Sequence, residues 1–129
     1  MNIALWSVAG FMAAGFLFSG AIKLLIPQAK LAKAPGGGWV LDVSAGSLKA
    51  IGAVEVLGAA GLILPALLDI APFLVPLAAL GLCLTMICAA ALHVHRREFK
   101  SVLVNLTYFS LLAFVVWGRL GPATFHSAG

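Results

Sequence analysis

Long apolar stretches alternate with short polar ones along this chain, at the spacing of membrane-spanning helices. Four blocks, roughly Ile3–Ile26, Leu48–Leu64, Phe73–Leu92 and Ser101–Leu120, carry few charges. A run of about 20 apolar residues crosses the hydrocarbon core of a bilayer as an α-helix. No stretch has the short apolar–polar alternation that the strands of a membrane barrel require. The pattern predicts an all-α, polytopic membrane protein: one domain, 1–129, folded as a four-transmembrane-helix up-and-down bundle.

The connections between blocks differ in kind. Pro27 ends the first block, and a long link runs to about Ser47, through Pro35, the Gly36–Gly38 run and Trp39. Its first part, Pro27–Ala34, reads as a short surface helix with Lys30 and Lys33 among the headgroups. Trp39 suits the membrane–water interface. Pro65 follows the second block, and Asp69 and Pro72 mark a short turn before the third. Pro76 falls in the first turn of the third helix, where proline is tolerated. The loop His93–Lys100 is the most polar stretch, and a short tail closes the chain. The two halves each read as a helical hairpin without convincing internal repetition.

Charge changes the picture by giving it a direction. Lys30, Lys33 and Lys49 belong to the first connection, and Arg96, Arg97 and Lys100 to the third. The middle turn has no Lys or Arg. The positive-inside rule then places the first and third connections in the cytoplasm and both termini outside, in a cell (inner) membrane. Trp6 and Trp117 fall near the outer interface, and Arg119 is a minor exception there. Met1–Asn2 bring no basic residue, and the apolar run after them is longer than that of a leader, so the first helix is expected to be retained.

Composition agrees with this reading. Of 129 residues, 63% are hydrophobic and only 9% charged, against about a quarter charged in a soluble domain. Mean hydropathy is +1.13. The net charge of +4 sits in two loops rather than over a face, which excludes nucleic acid as a partner. Cys83 and Cys88, five apart, point to different sides of a helix; they read as buried small hydrophobes, not as a disulfide.

Polar residues inside the apolar blocks carry the candidate chemistry. Glu55 lies about 10 Å into the second helix, seven residues from its expected start. A carboxylate in hydrocarbon costs a few kcal/mol, so it must be neutralised, paired or face a polar cavity. Gly52 and Ala59, one turn either side, let another helix approach on that face. Lys23 is one turn from the end of the first helix, on a face with Ser19 and Gly20. His93 stands at the end of the third helix, and Asn105 about one turn into the fourth. Each helix thus offers one polar residue to the same half of the membrane. Lys23, Glu55, His93 and Asn105 are therefore the candidate ligand-binding residues. Each also has a plainer role: Lys23 snorkelling to headgroups, His93 an ordinary helix end, Asn105 interhelical glue, Glu55–Lys23 an architectural ion pair. His93-x-His95 is a weak metal signal, because residues two apart lie on opposite helix faces. No catalytic residue and no metal site is assigned, and His126 falls in the tail.

Several segments together resemble the DoxX-like family of small four-helix membrane proteins. Phe16–Leu24 is similar to a small-Gly-x-x-Lys pattern ending at Lys23, and Ile51–Pro65 to a Gly-x-x-Glu-x-x-Gly pattern around Glu55. His93–Glu98 is similar to a His-x-basic-basic-Gly-acidic pattern, with His95 in a basic position and Arg97 where glycine is common. Trp117–Pro122 is similar to the closing motif. The resemblance implies the membrane fold, and links to quinone-coupled sulfur oxidation, oxidative-stress membrane complexes and receptor assembly.

Three functions remain open. The first is an accessory protein whose intrabundle site, around Glu55, Lys23 and His93, binds a lipid-like or quinone-like molecule for a membrane or cytoplasmic redox partner. The second is a scaffold or assembly factor that holds a partner through Arg96, Arg97 and Lys100. The third is a small-molecule or proton-coupled carrier, which the apolar outer half disfavours. None requires the chain to be an enzyme. The bilayer is the certain partner, quinone a candidate cofactor, and the glycine-rich faces of the first two helices suit a homo-oligomer equally well.

Overall fold

The computed structural model describes residues 2–34, 37–71 and 73–121. Six helical elements follow in order: α1 (Asn2–Leu25), α2 (Gln28–Ala32), a 3₁₀ turn (Gly38–Asp42), α3 (Ala45–Leu67), α4 (Leu74–His95) and α5 (Phe99–Leu120). The four long helices have 22 to 24 residues, about 33–36 Å of helix against a hydrocarbon core of about 30 Å. They form the expected up-and-down bundle of a multi-pass membrane protein. α1 packs chiefly on α3 and α4 chiefly on α5; α3 meets α4 across the bundle, and α1 touches α5 more lightly.

The helix limits shift from those the apolar pattern predicts, for local reasons. α3 starts at Ala45 rather than Leu48, because the Ser44 hydroxyl accepts the Ser47 N–H at 3.1 Å and caps the helix. It runs past Pro65 to Leu67. Proline keeps a helical φ but gives up the bond of its own N–H to the Gly61 carbonyl and crowds that carbonyl, and the helix ends two residues later at Leu67. Lys49 therefore belongs to α3 and not to the connection, and its ammonium donates to the Leu24 carbonyl near the end of α1. Glu55 lies ten residues beyond Ala45, about 15 Å along the axis and deeper than the pattern implied. α2 forms within Pro27–Ala34, where a surface helix was expected. The 3₁₀ turn was not foreseen. Pro35, Gly36, Pro72, Pro122, His126 and the remaining tail lie outside the described residues.

Burial is inverted relative to a water-soluble protein. Leu57 is 72% exposed in mid-helix, while Glu55, two residues away, is 2% exposed. Only a hydrocarbon solvent makes that arrangement favourable. Inside, Met12, Phe16, Leu62, Leu82, Met86 and Leu112 form a continuous core. Cys83 is buried as expected, but Cys88 is exposed on the outer face of α4. Both are free thiols.

Candidate functional site

The site begins with a close helix crossing. A methyl group built on Gly20 would meet the Gly52 carbonyl oxygen at 2.6 Å, and one on Gly52 would meet the Gly20 oxygen and Lys23 Cβ at 2.9 Å. α1 and α3 thus touch backbone to backbone, as small residues permit between membrane helices. Gly58, one turn beyond Glu55, lies instead against Leu82 of α4. The two glycines around Glu55 face two different neighbours, which turns Glu55 into the bundle.

Lys23 stands next to this crossing. Its ammonium lies 2.6 Å from Glu55 Oε1 and donates a second hydrogen bond, also 2.6 Å, to Ser19 Oγ. Ser19 is one turn toward the middle of α1. Lys23 therefore reaches inward along its helix rather than snorkelling to the membrane surface. The side chains of Lys23 and Glu55 are 12% and 3% exposed, so the pair is buried. The Lys23 ammonium also lies 5.6 Å from the centre of the Trp39 ring, within reach of a cation–π attraction.

Trp39 belongs to the connection between α1 and α3, which folds back over this end of the bundle. Its ring meets His93 edge to face, with centroids 6.1 Å apart. Gln28 holds the fold-back by donating to the Val40 and Val43 carbonyls at 2.6 and 2.8 Å. From the other side, Arg96 donates to Asp42 at 2.6 Å and to Glu98 at 3.1 Å. Glu98 Oε1 also accepts from His93 Nδ1 at 2.8 Å. A carboxylate only accepts, so Nδ1 carries the hydrogen. The hydrogen bond from His93, followed by that from Arg96, holds the Glu98 carboxyl below the usual carboxylate range. Hydrogen bonds to Asp42 and Glu98 raise Arg96 further above its already high value.

The loop that makes this network ends α4 in a defined way. The N–H of Glu98 bonds the His93 carbonyl at 2.8 Å and that of Arg97 the Val94 carbonyl at 3.0 Å. This is a Schellman cap, which places its next-to-last residue in the left-handed region. Arg97 occupies that position with φ of +60°. Glycine is favoured there because it lacks the Cβ that this conformation crowds.

Beneath Trp39 lies a cavity of about 470 Å³. Lys23, Glu55, His93 and Asn105, one from each long helix, all line it. The rest of the wall is largely apolar and includes Phe16, Ile51, Met86 and Leu92. Phe16 and Tyr108 meet edge to face at 5.9 Å within it. Asn105 is 9% exposed, and its Nδ2 has no hydrogen-bond partner among the described residues. His95, the other half of the weak metal pattern, is exposed and does not line the cavity.

Sequence reading missed two features. The latch of Asp42, Arg96 and Glu98 had one available signal: with four acidic residues in the whole chain, each was worth a partner. At the opposite end Arg119 is buried, donates to Asn2 Oδ1 at 2.6 Å and lies 5.9 Å from the Trp6 ring centre. The sequence marked Arg119 as an exception to the charge pattern, but its burial and its partners on α1 were not foreseen.

In comparisons with known proteins, the DoxX-like family matches residues 7–115. Lys23, Glu55, His93 and Asn105 fall inside this span, whereas Trp117–Pro122 falls beyond it. No curated protein and no solved structure matches the chain.

Proposed function

We propose, from the premise that this chain belongs to the DoxX-like family, that it is an inner-membrane accessory protein whose cavity binds a lipid-like or quinone-like molecule. One observation carries the reading: four polar residues from four helices line a single, mostly apolar cavity. Its volume suits a small ligand, and a few placed polar groups in an apolar wall are what fixes a ligand's orientation. The Lys23–Glu55 pair would be the polar floor of the site, and Trp39 with His93 its cover.

Seven of the eight Lys and Arg residues, all but Arg119, lie in or beside the two connections at this end of the bundle. The positive-inside rule supports placing that end in the cytoplasm, where a soluble redox partner would meet it. Scaffolding through the 93–100 loop gains less support, because Arg96 is engaged within the chain by Asp42 and Glu98.

The test is mass spectrometry of small molecules that co-purify with the wild type and with Glu55→Gln. An apolar species enriched in the wild type and lost in the variant is the expected result. Equal, unselective lipid in both would make the pair architectural and remove the basis of the proposal.

A further inference from the structure

Asn105 is nine-tenths buried on α5, and its Nδ2 donor has no partner among the described residues, yet it lines the cavity. A buried donor in that state has lost its hydrogen bonds to water and gained nothing for them. A leucine would fill the same space without that penalty. The arrangement makes sense if the missing acceptor arrives with a ligand.

The charges of the cavity narrow the ligand class. The Lys23 ammonium and Glu55 carboxylate are joined at 2.6 Å and cancel. Next to His93, Glu98 is engaged by His93 and Arg96. Among the residues lining this cavity no unpaired charge is left for an ionic ligand, and a buried ion without a counter-charge is strongly disfavoured; Lys100 lies beside it, in a smaller cleft that shares Trp39, His93, Val104 and Asn105. The wall of the cavity itself therefore favours an uncharged occupant.

The route follows from exposure. At the loop end, Trp39 lies beside His93 over part of the cavity, next to a smaller cleft lined by Lys100 and Ser101, and the Arg96–Asp42 bond holds its turn in place. Cys88 on α4 and Val104 on α5 line the cavity and are also exposed on the outer surface of the bundle. Cys88 is seven residues from the end of α4 at His95, about 10 Å along the axis. That depth is in the hydrocarbon, not in water.

We propose that the cavity takes an uncharged, membrane-dissolved molecule with a carbonyl or ether oxygen, that this oxygen accepts a hydrogen bond from Asn105 Nδ2, and that the molecule enters sideways from the bilayer past Cys88. This rests on the reading of the cavity as a ligand site. The class is defined by one acceptor at the polar end and an apolar remainder that fits the wall.

The probe is 4-decylbenzophenone, an uncharged ketone that cross-links on irradiation, added to the full chain in phosphatidylcholine nanodiscs, with adducts mapped by peptide mass spectrometry. Adducts are expected on the cavity-lining stretches of α4 and α5. Asn105→Leu should lower them about tenfold, the change that one hydrogen bond carries. The same variant should raise the melting temperature of the ligand-free protein, because it removes an unpartnered donor; a purely structural amide would lower it. Cys88→Trp should slow the approach to full labelling. Cavity labelling that is unchanged in Asn105→Leu overturns the docking while leaving the cavity reading in place. Labelling confined to outer helix faces in every variant overturns both. Equally fast labelling by water-borne benzophenone-4-sulfonate overturns the uncharged, bilayer-borne class.

Discussion

Removing the Lys23–Glu55 pair one member at a time should be costly, and removing it whole should not. The two side chains are 12% and 3% exposed and meet at 2.6 Å. Breaking a buried pair from one side costs about 3–5 kcal/mol, because it strands a charge, whereas replacing both members by apolar residues is often neutral. The structure makes the two single losses unequal. Lys23 is two residues from the end of α1, so without Glu55 its long side chain can turn outward to the headgroups. Glu55 is about 15 Å into α3 on a short stem and has no such exit. Lys23→Met should therefore cost about 3–5 kcal/mol, and Glu55→Leu less, below the ~2.5–3.5 kcal/mol that a lysine costs at a helix centre, because Lys23 can snorkel. The double variant should fall within about 1 kcal/mol of the wild type, giving a coupling energy of several kcal/mol. Reversible unfolding in mixed micelles, followed by circular dichroism, measures all four states. Additive single losses with no coupling would refute the pairing and the inward turn of Lys23 with it.

Gly20→Ala should destabilise by about 1–3 kcal/mol, because its methyl would press on the Gly52 carbonyl; Gly10→Ala, with nothing within 4 Å, should instead gain about 0.5–1 kcal/mol in the same unfolding assay. Arg97→Gly should stabilise by about 1 kcal/mol, read as a higher melting temperature, because it relieves the left-handed backbone at φ +60°. Acid should open the latch over Trp39. Because the Glu98 carboxyl titrates below its unfolded value, its contribution is present above about pH 4 and is lost as pH falls through the lower, folded value. Trp39 emission, in a variant with Trp6 and Trp117 replaced by Phe, should shift red below that pH. In Arg96→Met it should be shifted already at neutral pH, and an unmoved spectrum in both cases would show that Trp39 is held without the latch.

The site was partly legible before the fold, and particular residues show why. Glu55 announced itself because a carboxylate in an apolar run has few affordable states. Gly52 and Ala59 on its face indicated a helix neighbour, and both are buried beside it. The resemblance around Arg97 marked a glycine position, but the reason waited for the cap geometry. Trp39 was placed only at an interface, since nothing local states that its connection folds back over His93.

What the amino-acid order determined alone was the number of membrane crossings, their approximate lengths, the basic character of one end, and the need for Glu55 to face inward. Those properties are local: backbone hydrogen bonds in hydrocarbon must be satisfied within each segment, and apolar length must match bilayer thickness. Only the tertiary structure decided which polar group met which. Arg96 finds Asp42 across 54 positions and Arg119 finds Asn2 across 117. The direction of Lys23 was equally undecided, since snorkelling and pairing were both open to it. Contacts of that kind depend on how each helix is rotated and how closely its neighbour approaches. Here that is set by the Gly20–Gly52 crossing, where two backbones touch because neither glycine has a side chain to keep them apart.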